Sequence, residues 1–154
     1  MNALELLKQD HRKVKELFDQ VKAAADDKQR KQIFDRIDTE LTIHAHIEET
    51  VFYPEMEQYE ELKEMVEEAL QEHEDVKTLL GEIETMESKD DEFQSSLEEL
   101  MENVEHHVRE EEDEMFPQVH ELCDEATLEK LGQQLESAKG NSNAVLADSF
   151  DRCE

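Results

Sequence analysis

Glycine and proline are almost missing: three and two among 154 residues, with no tryptophan and aromatics at 5%. So few turn formers exclude a strand-and-turn architecture, which needs them between every pair of short strands. The two cysteines, Cys123 and Cys153, form no CxxC pair, which excludes a disulfide framework and a thiolate zinc site. No apolar run approaches the roughly 18 residues of a membrane span. The opening MNALELLKQDHRK lacks the apolar core of a signal peptide, so the expected compartment is the cytoplasm. Cations are scarce as well: 16 Lys and Arg stand against 44 Asp and Glu, a formal charge of −28. That balance excludes nucleic-acid binding by phosphate neutralisation and attachment to membranes through a basic patch.

What is abundant is Glu, Leu, Lys, Gln, Ala and Met, all good helix formers. A chain this charged stays disordered unless its apolar residues are arranged periodically. They are. Steps of three and four mark four helical seams. The first holds Leu4, Leu7, His11, Val14, Phe18, Val21 and Ala25; the second Phe34, Ile37, Leu41, His44, Glu48 and Val51. The third holds Leu62, Val66, Ala69, His73, Val76, Leu80 and Ile83; the fourth Phe93, Leu97, Leu100, Val104, His107 and Glu111. Asn2 with Glu5 resembles a capping box, Asp26-Asp27 caps the second helix, and Ser88 to Asp91 turns into the fourth. Pro54 and Pro117 are expected to kink or end their helices. Short turns between long helices predict an all-α, up-down-up-down antiparallel four-helix bundle over residues 1–122. Residues 123–154 then form a short C-terminal helix (125–138, closed by Gly140 as a C-cap) and a tail. The tail has only a brief apolar stretch, which leaves docking and flexibility both open.

The chain contains its hairpin twice. Gln9-Asp10-His11 aligns with Gln71-Glu72-His73; His44 and His107 each stand ten residues before a proline, and Glu48 and Glu111 six before. Spacing i, i+4 puts each His and Glu of the later pairs on one helix face, about 6 Å apart along the axis. Counting from the expected turns places His11, His44, Glu48, His73, His107 and Glu111 at one depth in the bundle.

A lone seam histidine is more often a hydrogen-bonded core residue than a ligand. The carboxylates decide otherwise. An ionised Glu buried without a partner costs several kcal/mol, and no seam Lys or Arg answers Glu48 or Glu111. Cations between them remove the difficulty. Four His and two Glu are too many for one tetrahedral zinc and too rich in nitrogen for calcium or magnesium. Shared by an approximate two-fold, two metals receive two His each, with both Glu bridging. A bridging oxygen brings each metal to about five ligands and leaves one position open. Such a set suits iron that reacts with small oxidants, although zinc or manganese could load into the same cage.

Three features compete with this set. His106 also has a Glu four residues on, Glu110, but the proline alignment and the seam favour His107. His46 falls off the seam and reads as a surface residue or one that supports a ligand, and His120, after Pro117, reads as solvent-facing. Tyr53 has Phe116 as its repeat counterpart, so an aromatic ring is the shared need, with a redox role for the hydroxyl as the alternative. Of the run Glu110 to Glu114, Glu111 alone is expected to turn inward.

The segments His44-Ala45-His46-Ile47-Glu48 to Pro54 and His107-Val108-Arg109-Glu110-Glu111 to Pro117, each preceded by its Asp-His or Glu-His helix, resemble the hemerythrin-like (HHE cation-binding) family over about residues 3–122. The resemblance implies a non-haem di-iron centre with a bridging oxo or hydroxo group, held by His11, His44, Glu48, His73, His107 and Glu111. It implies partners that are small oxidants: O2, hydrogen peroxide or nitric oxide. One departure matters. Oxygen-carrying hemerythrins place a further His one turn after the third-helix ligand, and here that position is Lys77. Reversible O2 carriage is therefore not expected; if the chain is an enzyme, it is a peroxide- or NO-consuming oxidoreductase. The family also contains iron–sulfur repair, iron-donating and iron-sensing proteins. Repair members carry a cysteine-bearing N-terminal segment, whereas Asn2 leads straight into the first bundle helix, and sensing normally involves an effector domain.

Overall fold

The computed structural model describes the backbone of residues 1–152 and the side chains of residues 1–142; Cys153 and the side chains of the tail lie outside the described residues. Among those described, the regular structure is entirely helical. Helix α1 (Ala3–Lys22) starts where the Asn2 side chain accepts the Glu5 N–H at 2.9 Å. Helix α2 begins at Asp27 behind Asp26, whose carboxylate accepts the Gln29 N–H at 2.7 Å. Both caps satisfy donors that a helix start leaves unpaired. After a 3-10 turn at Glu60–Leu62 come α4 (Lys63–Glu84) and α5 (Asp91–Glu110), with Asp90 at the N-cap of α5 but making no side-chain bond there. These four long helices form the expected up-down-up-down bundle. Ala25 is the one member of the first seam that falls beyond its helix, and it is exposed.

The prolines do not stop the helical path that begins in α2 (Asp27–Ile47) and α5. Each helix widens into a π-helical turn, Glu48–Phe52 and Glu111–Met115, then resumes as α3 (Tyr53–Met56) and α6 (Phe116–Leu122). In a continuous α-helix, Pro54 and Pro117 would lack a donor and collide with the carbonyls of Thr50 and Asp113. The wider turn relieves both conflicts and absorbs one extra residue. Each π-turn opens on the seam glutamate, Glu48 or Glu111.

Two apolar clusters make the core. One holds Phe18, Phe34, Ile37, Leu80, Phe93 and Leu97 toward the α1–α2 turn. The other holds Leu7, Ile47, Phe52, Tyr53, Leu62 and Phe116 at the proline end. Full burial of each such side chain contributes roughly 1.5–3 kcal/mol. Between the clusters lies the only buried polar layer among the described residues: Asp10, His11, His44, Glu48, His73, His107 and Glu111.

Helix α7 differs from expectation. It runs from Glu125 to Arg152, through Gly140, which is not in the left-handed conformation of a C-cap. Glycine inside a helix costs only about 1 kcal/mol, and α7 is anchored along the stretch that leads up to Gly140. Leu128, Leu131 and Leu135 join the proline-end cluster, and Lys139, next to Gly140, forms an ion pair with Asp10 of α1. Gly132 has a different job. A Cβ there would lie 2.9 Å from the Asn2 carbonyl carbon and 3.0 Å from the Ala3 nitrogen, so α1 meets α7 through a missing side chain.

Gly132→Ala should therefore lower the stability of the folded chain by about 1–3 kcal/mol, whereas Gly140→Ala, with open space around it, should raise it by up to about 1 kcal/mol. Thermal unfolding of both variants checks this; a loss in Gly140→Ala would restore a helix end at that residue.

Candidate metal centre

Four helices each bring an imidazole into the polar layer: His11 from α1, His44 from α2, His73 from α4 and His107 from α5. Glu48 and Glu111 enter from the two π-turns. All six are buried, and Glu48 and Glu111 are 0% and 1% exposed. Each carboxylate spans both hairpins. Glu48 Oε1 is 3.1 Å from His44 Nε2 and 3.2 Å from His73 Nε2. Glu111 reaches His11 Nε2 with Oε1 at 3.1 Å and His107 Nε2 with Oε2 at 3.3 Å.

These distances would suit hydrogen bonds, but the directions do not. His11 Nε2, His44 Nε2, both oxygens of Glu48 and Oε1 of Glu111 are buried without a hydrogen-bond partner. Orphaned buried polar atoms are rare because each costs about 1–3 kcal/mol. Here they gather around shared points rather than facing one another. His11, His44 and Glu111 offer ligand atoms within 4.8 Å of one another, and so do Glu48, His73 and His107. Imidazole nitrogens and carboxylate oxygens in two such groups fit a pair of divalent transition ions.

The far side of each ring is fixed. Nδ1 of His11 meets Glu112 at 2.6 Å, that of His44 meets Asp10 at 3.1 Å, that of His73 meets Glu49 at 2.8 Å, and that of His107 meets Glu72 at 2.8 Å. A carboxylate on Nδ1 places the proton there and turns the Nε2 lone pair inward. The repeat extends to these partners. The acid before each lone His (Asp10, Glu72) holds the second His of its own hairpin. The acid after each seam Glu (Glu49, Glu112) holds the first His of the other. Their signal in the sequence was adjacency to a seam ligand, and it was obscured by the many solvated glutamates. Glu111 is thus not alone in turning inward from its run: Glu112 does so too, because the π-turn rotates it toward α1.

Tyr53 breaks the two-fold. Its hydroxyl donates to Glu111 Oε2 at 2.6 Å and lies 3.3 Å from His73 Nε2 and 3.5 Å from His107 Nε2. Phe116 stacks on His11 at the matching place, with 6.2 Å between ring centroids, and has no oxygen to offer. His107 lies in the layer while His106, 59% exposed in its side chain, pairs with Glu110 outside. His46 and His120 are exposed.

The layer requires positive charge. Burial disfavours a charged His44, yet Glu48 and Asp10 outweigh it and lift its pKa to about 10. Burial likewise opposes protonation of His107, and Glu111 together with Glu48 and Glu72 carries it well above the ordinary value. Burial would raise Glu48, but His44, His107 and His73 hold it well below the usual carboxylate range. In the metal-free chain protons supply the charge that cations would otherwise bring.

Comparison with known proteins agrees with this geometry. The sequence profile described as Hemerythrin HHE cation binding domain matches residues 2–119. An uncharacterized hemerythrin-like protein of Schizosaccharomyces pombe is 36% identical over 110 residues, 70% of this chain and 54% of that protein. A Nostoc protein named DNA nickase is 28% identical over 139 residues, 90% of this chain and 39% of that one. The chain thus spans about half or less of these relatives' length. The crystal structure of a hemerythrin HHE cation binding domain-containing protein from Mycobacterium kansasii superposes with a TM-score of 0.85 at 25% identity, covering 98% of this chain and 93% of that one.

Removing the carboxylate behind His11 in Glu112→Ala should weaken metal binding by about 10–100-fold, while Glu114→Ala, at an exposed position, should leave it unchanged; competition with a chelator distinguishes the two. The metal-free chain should also show a bell-shaped pH dependence. Raised imidazoles stabilise the fold fully below their unfolded value of 6.5, and that contribution fades as pH climbs through the folded value of about 10 for His44. Depressed carboxylates contribute above 4.5 and lose their contribution as pH falls. Metal-free stability should peak between these limits, whereas the stabilisation added by metal should grow through neutrality as cations replace protons. Urea unfolding across pH, with and without metal, measures both.

Proposed function

The chain belongs to the hemerythrin HHE cation-binding family, and on that footing we propose that it is a non-haem di-iron protein that binds or reacts with O2, hydrogen peroxide or nitric oxide. In this reading His11, His44, Glu48, His73, His107 and Glu111 hold two iron ions joined by an oxo or hydroxo bridge. The observation that carries it is the set of orphaned donors: buried nitrogens and oxygens from both hairpins, gathered into two groups with no hydrogen-bond partner. A pair of irons passing between ferrous and ferric states supplies two electrons, enough to reduce one molecule of peroxide to water.

The chain's own residues restrict what reaches that pair. A cavity of about 140 Å³ touches all four imidazoles and is otherwise walled mainly by Val14, Leu41, Val76, Leu80, Val104 and Val108. Walls of this kind admit small uncharged molecules and repel hydrated anions, as does a surface carrying −28. Lys77, where oxygen carriers have a further His, extends to Glu49 at 3.0 Å and Glu74 at 3.5 Å. It reinforces the carboxylate behind His73 and brings no fifth imidazole to the centre. Tyr53 holds a proton on the hydroxyl facing Glu111, and burial beside two carboxylates keeps its pKa well above the ordinary value. The DNA nicking in the name of the Nostoc relative is not carried over, because a net charge of −28 opposes phosphate contacts and the match covers 39% of that protein.

Anaerobic reconstitution with ferrous iron should give two irons per chain, and Glu48→Ala or Glu111→Ala should lose them while His46→Ala and His120→Ala should not. Air should oxidise the ferrous protein without later release of O2, and the ferric protein should react with peroxide or nitric oxide, both followed by optical spectra. Lys77→His should slow the oxidation by air if the added imidazole reaches the metal. A wild-type protein that takes up and releases O2 through repeated cycles contradicts this reading and favours a carrier.

A further inference from the structure

Three of the four carboxylates that orient the imidazoles have a cation behind them. Lys139 pairs with Asp10 and Lys77 with Glu49, while Lys8 and Arg12 stand near Glu112. Glu72 is the exception. Its Oε1 meets His107 Nδ1 at 2.8 Å, and its Oε2 faces His106 Nε2 at 3.6 Å. That imidazole lies closer to Glu110, 2.9 Å from Oε1. Among the described residues, Glu72 and Glu110 form ion pairs only with histidines, never with Lys or Arg. One ligand atom from each of Glu72, His106 and Glu110 lies within 4.8 Å of the other two.

We propose that Glu72, His106 and Glu110 form a surface site for a divalent transition cation, through which metal is loaded into the buried centre. The donor set is one imidazole and two carboxylates, and His106 and Glu110 repeat, one residue earlier, the i, i+4 spacing of His107 and Glu111. With three protein donors and water completing the shell, the site suits an ion in transit. It also has a way inward. Directly behind it a small cavity, about 20 Å³, is lined by Glu72 and Glu110 on the outer side and by His107 and Glu111 of the centre on the inner. A cation held there supplies the positive charge that lysines supply behind Asp10 and Glu49. The acidic surface concentrates divalent ions around this mouth.

This inference rests on the buried layer being a metal centre, and the test separates the two. Metal-free wild-type chain titrated with Co2+ in a calorimeter should bind three equivalents, the third weakest. His106→Ala and Glu110→Gln should bind two, and at limiting Co2+ should fill them about tenfold more slowly, the low end of what local concentration of an ion at a charged mouth adds to an on-rate. Glu61→Gln, an exposed change of charge elsewhere, should behave as wild type. A wild-type chain that binds two Co2+ and no third, or variants that load as fast as wild type, overturns the loading site and leaves the centre standing. A wild-type chain that binds none overturns both.

Discussion

Two glutamates facing each other in the middle of an apolar bundle set the terms for the rest of this molecule. Glu48 and Glu111 are sealed from water, and two unpaired buried carboxylates would cost more than a small domain's net stability can absorb. Four imidazoles, four outer carboxylates and a pair of cation positions resolve that cost. The core is consequently divided into two apolar clusters, each closed on one side by the polar layer. The π-turns belong to the same solution, because they start at the glutamates and release the backbone just before each proline.

The duplicated hairpin makes the layer nearly symmetric, and a few side chains depart from that symmetry. Tyr53 opposes Phe116, so only one half of the centre has a hydroxyl beside it. Lys77 pairs with the carboxylate behind His73, whereas its repeat counterpart Lys15 forms no ion pair among the described residues. Lys139 reaches Asp10 from α7, a helix outside the duplicated unit. The half-site built on His11 and His44 therefore depends on the docking of α7, while the half built on His73 and His107 faces the surface through Glu72 and His106.

The seams were legible in the sequence because apolar spacing repeats every three or four residues, and a buried Glu on such a seam has few explanations. Proline alignment resolved His107 from His106, a distinction the structure draws as well. The caps at Asn2 and Asp26 were legible for a local reason: a side chain bonding three residues ahead needs no tertiary information. The continuation of α7 through Gly140 was not, since glycine is tolerated inside a helix that tertiary contacts hold. Nor were the π-turns, which arise from a conflict between a proline and a carbonyl four residues earlier. Asp10, Glu49, Glu72 and Glu112 were hidden differently: in a chain with 44 acidic residues, composition cannot mark the few that touch a histidine.

Anomalous scattering at the iron edge, from crystals of chain reconstituted anaerobically, tests the central claim most directly. Two peaks are predicted, one among His11, His44 and Glu111 and the other among Glu48, His73 and His107. A single peak, or an iron-free layer whose orphaned atoms are bridged by ordered water, would contradict the account.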